Sequence, residues 1–259
     1  MKHISIERKL LKSLADLKIK KGDTLFIHSN LNILFKEQDV TLRESVEILL
    51  KCLKKILGPR GTIVVPAYYY EYGFNKKIFD INNSPISAEL GLFPKFVFAQ
   101  KKSVRSLNPI TSVVANGYKS NKICNMKTCS GYGVDSPFDI LTKIKAKMIF
   151  LGVDLRYMTY VHYVEFMVGV PHRYNKLFFK PVKLNNKKID LPIVSQVRKN
   201  NVISDSIDNN NKFEKAKIVT KVKFNKSYLR SLNFAEVFSF LKDKLQKDFF
   251  YLLKKKPIL

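Results

Sequence analysis

The run Met148-Ile-Phe-Leu-Gly-Val-Asp-Leu-Arg-Tyr-Met-Thr-Tyr-Val-His-Tyr-Val-Glu165 decides how this chain is read. Its first part, Met148 to Val153, is a short apolar strand, and its second carries Thr159, His162 and Glu165 at intervals of three. Side chains at that interval are neighbours on a helix surface, so a hydroxyl, an imidazole and a carboxylate share one face. A strand feeding such a helix sets the trio at a strand's C-terminal end, where open α/β sheets bind ligands.

Upstream, Ile6, Leu10, Leu11, Leu14 and Leu17 recur at helical spacing and predict an amphipathic helix ending near Lys20. Gly22 and Asp23 turn the chain into a strand, Thr24 to His28. Thr41 and Glu44 form a capping-box pattern ahead of Val46, Leu49, Leu50, Leu53 and Leu57, and Gly58 with Pro59 marks the stop. Thr62 to Val65 is a β-branched run closed by Pro66, and Ser112 to Ala115 is a further strand. Ser136, Pro137 and Asp139 read as N-cap, first position and first turn of a helix reaching about Ile144.

Strands alternating with helices in this order predict an α/β fold: a mainly parallel central sheet flanked by helices. Downstream the texture changes. Val182 to Leu184 and Ile189 to Leu191 flank Asn185-Asn186, a hairpin signal. Ser204 to Asn211 reads as a polar loop, Ile218 to Phe224 as a strand and Phe234 to Leu253 as a last amphipathic helix. The expectation is one domain over residues 1–259, with a small β-rich C-terminal annex at about 180–225.

Composition narrows the class. The chain has 259 residues, 46% of them hydrophobic, with 19 Phe and 12 Tyr, which fits a sizeable core and excludes a disordered or fibrous protein. No apolar run approaches the roughly 20 residues of a membrane span. The stretch Met1 to Lys9 lacks an apolar signal region and a cleavage site, so the protein is expected in the cytoplasm. Its three cysteines form no disulfide framework, and Cys124 and Cys129, without a second pair or a nearby histidine, predict ordinary thiols and no metal site. The formal net charge of +26 invites a nucleic-acid reading. Lysines scattered through every segment, alongside abundant Asn and Ile, instead point to coding bias, and no DNA- or RNA-binding motif accompanies them.

Other polar clusters are ambiguous taken singly. Gly131, Gly133 and Ser136 give a degraded glycine-rich pattern that fits an anion-holding helix start or a simple turn. His28-Ser29-Asn30 follows the first strand, where ligand loops lie, and Arg105-Ser-Leu-Asn-Pro109 again joins a charge to polar groups. For His162, spacing alone favours a hydrogen-bonded core histidine, and Glu165 equally fits a solvated face. Neither a G-x-S-x-G elbow nor an H-E-x-x-H helix occurs, which removes the common hydrolase and metalloprotease readings.

Taken in order, the pieces resemble the aminoglycoside 3-N-acetyltransferase family. The matching text is Gly22-Asp-Thr-Leu-Phe-Ile-His-Ser29, Gly61-Thr-Ile-Val-Val-Pro66, Arg105-Ser-Leu-Asn-Pro109 with Ser112, Asp135-Ser-Pro-Phe138, Leu151-Gly-Val153 and Thr159-Tyr-Val-His-Tyr-Val-Glu165. The resemblance implies that family's own α/β fold, acetyl-coenzyme A as co-substrate and a primary amine of an amino sugar as acceptor, with direct transfer. It implies His162 as general base, Thr159 near the thioester and Glu165 orienting the imidazole or holding the acceptor ammonium. It also implies that His28, Ser29, Asn30 and Leu31, with Ser106, Asn108, Ser112 and Ser136, line the coenzyme site.

The chemistry suits those residue types. A protonated amine must lose a proton to attack a thioester, which a neutral imidazole can accept near pH 7. Two positions depart from the family pattern: Asn108 stands where a histidine is frequent, and Arg156 where an aspartate is frequent. With the +26 balance, these lean the expected acceptor towards an anionic, nucleotide-linked or surface-polysaccharide amino sugar. The alternatives are an aminoglycoside acceptor, with antibiotic resistance as the outcome, and a non-catalytic protein binding coenzyme A or a polyanion.

Overall fold

The structure is a computed structural model describing residues 2–74 and 77–258, so Met1, with which the N-terminal reading began, lies outside the described residues. In its first half the chain forms α1 (Lys2–Asp16), β1 (Thr24–Ser29), α2 (Leu31–Leu34), α3 (Leu42–Leu57), β2 (Thr62–Pro66), α4 (Glu71–Phe74), β3 (Phe79–Asp80), α5 (Leu92–Phe98), β4 (Val104–Arg105), β5 (Val113–Gly117) and α6 (Ser120–Ile123). There follow α7 (Pro137–Lys143), β6 (Lys147–Leu151), α8 (Tyr160–Val168), β7 (Arg173–Leu184), β8 (Lys187–Arg198), α9 (Asn209–Lys215), β9 (Thr220–Phe224), β10 (Ser227–Asn233) and α10 (Phe234–Lys247).

Seven strands form one sheet in the order β4-β5-β2-β1-β6-β10-β9. Its centre, β2-β1-β6, is parallel, while β5 and β10 run against their neighbours, so the other five strands share one direction. Period-two alternation sends successive side chains to opposite layers. Leu25, Ile27, Ile63, Val65, Ile149 and Leu151 pack with α1, α3 and α5, whereas Phe26, Val64, Met148 and Phe150 pack with α7, α8 and α10. Both layers are closed by helices whose ends are written locally. Thr41 and Glu44 make the reciprocal capping box of α3, and Ser136 caps α7 with Pro137 at its first position.

Three expectations change in extent. The first helix stops at Asp16, where Leu17 and Lys18 turn the chain, Lys18 with φ +60°. The last helix stops at Lys247, and Leu252 and Leu253 are buried from a following turn, so their apolarity records burial and not helix. The polar Ser204–Asn211 stretch holds a 3-10 turn, Ser206–Asp208, and the start of α9. Its Asn210 Oδ1 accepts the Leu155 N–H at 3.0 Å, so polar side chains here fasten the loop after β6.

The β-rich stretch expected at 180–225 divides between two sheets. Asn185 and Asn186 both have positive φ, +46° and +64°, as a two-residue hairpin turn of the primed type requires. The hairpin they join is far longer than its apolar runs, 12 residues in each strand, and pairs with β3 in a separate three-stranded sheet. By contrast β9 lies at the edge of the main sheet. The hairpin's open end, Arg173 opposite Arg198, returns to the C-terminal side of α8.

Candidate active site

A cavity of about 970 Å³ opens at the C-terminal ends of β1, β2 and β6, and His28, Ser29, Asn30, Tyr68, Thr159, His162 and Glu165 are among its lining residues. The backbone there is drawn tight. Asn30 N–H donates to Leu151 O at 2.9 Å, and Gly152, at φ +69°, has room for no side chain, since a Cβ would lie 2.5 Å from Asn30 O. The close join of the β1 and β6 ends brings the His28 loop and the approach to α8 to one rim.

On α8, Thr159 stands at the N-cap, and His162 and Glu165 follow at one-turn intervals. His162 Nδ1 lies 2.8 Å from Glu165 Oε2, and an ionised carboxylate only accepts, so the proton in this contact belongs to Nδ1. The lone pair is then on Nε2, which makes no hydrogen bond among the described residues. Arg173 ion-pairs with Glu165 Oε2 at 2.7 Å; its Nη2 also lies 2.8 Å from His162 Nδ1, which with the proton on Nδ1 is a close approach of two donors and not a hydrogen bond. His172, fully buried, puts Nε2 3.1 Å from the other Glu165 oxygen.

The electrostatics follow from these contacts. Burial alone would raise the Glu165 carboxyl, but hydrogen bonds from His162 and His172 and the charge of Arg173 outweigh it and hold Glu165 far below the usual carboxylate range. Burial, then the Arg173 charge, hold His162 below the usual histidine value, with Glu165 opposing them. His162 is therefore a neutral imidazole at pH 7, oriented by an anionic carboxylate. Tyr68 OH lies 2.8 Å from Thr159 Oγ1, and burial raises Tyr68 well above the ordinary phenol value, which keeps its hydroxyl protonated.

The structure brings together only part of the predicted site. Thr159, His162, Glu165, His28, Ser29 and Asn30 line the cavity. Leu31 does not; it opens α2 and packs in the core. Ser106, Asn108, Ser112 and Ser136 are all buried away from the cavity, with their polar atoms spent on backbone. Ser106 Oγ accepts the Val113 N–H, Ser112 Oγ donates to Ala67 O, and Ser136 caps α7. Asn108 donates to Cys129 O and Val194 O and accepts from the Ile110 and Thr111 N–H groups, so its amide is fully used. Gly131 gives its N–H to Val194 O and Gly133 to Ser130 Oγ, which makes the degraded glycine pattern a turn. Arg156 does line the cavity, paired at 2.8 Å with Asp154.

Sequence reasoning missed Tyr68, His172, Arg173, Arg198, Lys226 between β9 and β10, and Arg230 on β10. Tyr68 had a signal, directly after the Pro66 end of a strand. Arg173 and Arg198 had none, because the register of the long hairpin brings them to the site. Among the described residues no cluster of three or more His, Cys, Asp or Glu suits a metal, and no helix is long and apolar enough to cross a membrane.

Comparison with known proteins agrees with this geometry. Aminoglycoside N(3)-acetyltransferase IV of Salmonella sp is 25% identical over 163 residues, covering 63% of this chain and 59% of that protein, so the match spans under two thirds of its length. Among solved structures, one described as AAC-IIIb binary with CoASH superposes with a TM-score of 0.79 at 19% identity, covering 97% of this chain and 98% of the other. A histidine-to-alanine variant of AAC(3)-IVa in complex with apramycin gives 0.73, at 19% identity over 93% and 92% of the two chains. The fold is theirs, and the sequence description of aminoglycoside 3-N-acetyltransferases matches residues 27–246. With nearly the whole α/β unit matched and the Thr159, His162, Glu165 helix inside it, the chain belongs to the aminoglycoside 3-N-acetyltransferase family.

Proposed function

We propose that the protein is an acetyl-CoA-dependent N-acetyltransferase whose acceptor is a primary amine of an aminoglycoside. One observation carries the reading: the His162 imidazole, its Nδ1 2.8 Å from a buried carboxylate, lines a cavity of about 970 Å³. His162 Nε2 removes the proton from the acceptor ammonium, and Glu165 stabilises the imidazolium formed. The Thr159 hydroxyl, fixed by Tyr68, is available to donate to the thioester oxygen as charge builds there. Acetyl-CoA supplies the activated acetyl group. Its phosphates suit the basic part of the wall, where Arg156, Arg198, Lys226 and Arg230 line the cavity.

The expectation of a nucleotide-linked or polysaccharide acceptor finds no support among the relatives, which are named for aminoglycosides. The charge argument behind it weighed the whole chain. At physiological salt, exposed charges beyond about 8 Å are largely screened, so scattered lysines say little about the cavity. Its own wall carries Glu89, Asp154 and Glu165 as well as basic groups, with Asp154 paired to Arg156 and Glu165 to Arg173. The non-catalytic alternative leaves the His162–Glu165 arrangement without a purpose.

Thiol release from acetyl-CoA, measured with gentamicin or kanamycin as acceptor, tests the proposal, with mass spectrometry to count acetyl groups. The expected product carries one acetyl group. Release no faster than the acceptor-free blank with either drug, together with turnover of a nucleotide-linked amino sugar, would overturn the acceptor assignment.

A further inference from the structure

Glu165 has two oxygens to satisfy in a site that leaves it almost no solvent. Oε2 faces His162 Nδ1 and Arg173 Nε, while the partner of Oε1 is His172 Nε2 at 3.1 Å. We infer that His172 is a positioning residue for acetyl transfer: its Nε2–H donates to Glu165 Oε1 and so fixes Oε2 towards His162. The inference rests on the reading of His162 as the base.

The competitor is Arg173. A guanidinium and a carboxylate prefer to pair side by side through two parallel hydrogen bonds. The terminal torsion of a glutamate is broad and roughly two-fold, so little intrinsic cost opposes that rotation. Arg173 already has Nε at Glu165 Oε2 and Nη2 near the imidazole. A carboxylate free to turn would give both oxygens to Arg173 and release His162. A donor on Oε1 from the other side prevents this.

Local sequence delivers that donor. Gly169, at φ +74°, ends α8, and the Gly169 and Val170 N–H groups both bond Glu165 O, so the chain folds back beneath the glutamate. Pro171 follows, and Lys199 N–H donates to His172 O at 3.0 Å, tying the backbone to the end of β8. The imidazole packs beside Phe250, with ring centroids 5.9 Å apart, and its Nδ1 makes no hydrogen bond. A buried polar atom left without a partner is a cost. It is borne at a position whose other ring nitrogen reaches the glutamate.

His172→Leu removes the donor, and His172→Gln keeps an N–H near the Nε2 position. For the leucine variant, kcat is expected to fall about tenfold or more, the scale of one charge-assisted hydrogen bond, with KM for acetyl-CoA within about twofold of wild type because the glutamate acts through the base. The glutamine variant should recover most of the loss. Ring ¹⁵N shifts of His162 in histidine-labelled protein give a readout independent of turnover: they should move in the leucine variant and return in the glutamine one, with melting curves confirming folded protein.

Equal impairment of both variants with unmoved His162 shifts, or a leucine kcat within about twofold of wild type, would overturn the inference. A wild type that acetylates no amine, alongside His162 shifts that still respond to the leucine change, would overturn the proposed function while leaving the contact between the two histidines through Glu165 standing.

Discussion

Two segments look alike in sequence and differ completely in use. Residues 105–112 and residues 159–173 each mix an arginine with hydroxyl, amide or imidazole groups, and each lies next to a strand of the main sheet. In the first, Arg105 donates to Ser84 O, Ala67 O and Ser112 Oγ, and the serines and asparagine are likewise spent on backbone. In the second, His162 keeps Nε2 free of protein partners among the described residues and lines a cavity. A ligand site is marked by hydrogen-bonding capacity left over after folding, not by polar residues as such. Arg105 also stacks over the Phe79 and Phe98 rings, at 4.7 and 5.2 Å, as a framework cation should.

The comparison is broken most severely at His162. His162→Ala should lower kcat by roughly 10² to 10⁴ with the fold intact. Raising the pH should restore part of the loss, since more of the acceptor amine is then already deprotonated. A rate within about threefold of wild type at pH 7 would return His162 to the framework class.

Arg105→Ala should do the reverse. Leaving Ser84 O without its donor inside the core, and Ala67 O with only the Ser112 hydroxyl, is expected to cost about 2 to 3 kcal/mol of stability, read from urea unfolding, while protein folded at low temperature keeps near-normal kcat. A large kcat loss without destabilisation would mean that the 105–112 segment belongs to the site after all.

Glu165→Gln sharpens the line between the two classes. An amide can donate to Nδ1 and hold the imidazole in the wrong tautomer, so kcat should fall roughly tenfold or more with KM for acetyl-CoA little changed. An unaltered rate at saturating substrates would leave the carboxylate with a packing role only.

The smallest expected effect lies at His28, which lines the cavity yet is stacked on Phe150 with ring centroids 5.0 Å apart. Burial lowers its pKa from 6.5 to about 4. The unfolded chain therefore binds the proton first as pH falls, so the contribution to stability is complete above pH 6.5 and is lost between 6.5 and about 4. His28→Gln should lessen the loss of stability between pH 7 and pH 5 by roughly 2 kcal/mol, measured by urea unfolding at both values. Identical pH dependence in the two proteins would show that His28 carries no such linkage.

What the sequence made legible was local. The Thr41–Glu44 capping box, the Ser136-Pro137 helix start and the Asn185-Asn186 turn are each written in a few adjacent residues and appear where expected. The Thr159, His162, Glu165 face was legible for the same reason, being a matter of helical spacing. Arg173 was not, since nothing near it in the chain says that a twelve-residue pairing will carry it back to α8. Nor could spacing tell Ser112 from Ser29: both are hydroxyls beside strands, and only the third dimension shows that one has Ala67 O within reach and the other a cavity.

The β7–β8 hairpin has a practical side. It is rooted in the chemistry at Arg173 and Arg198 and turns at Asn185-Asn186, 12 residues away along each strand. At about 3.3 Å per residue the tip stands roughly 36 to 40 Å along the strand from the root. A fluorophore or surface tether attached at that turn would ride on the same two strands that hold the arginines, on residues that do not line the cavity. The hairpin thus offers a built-in handle for watching the site from a distance.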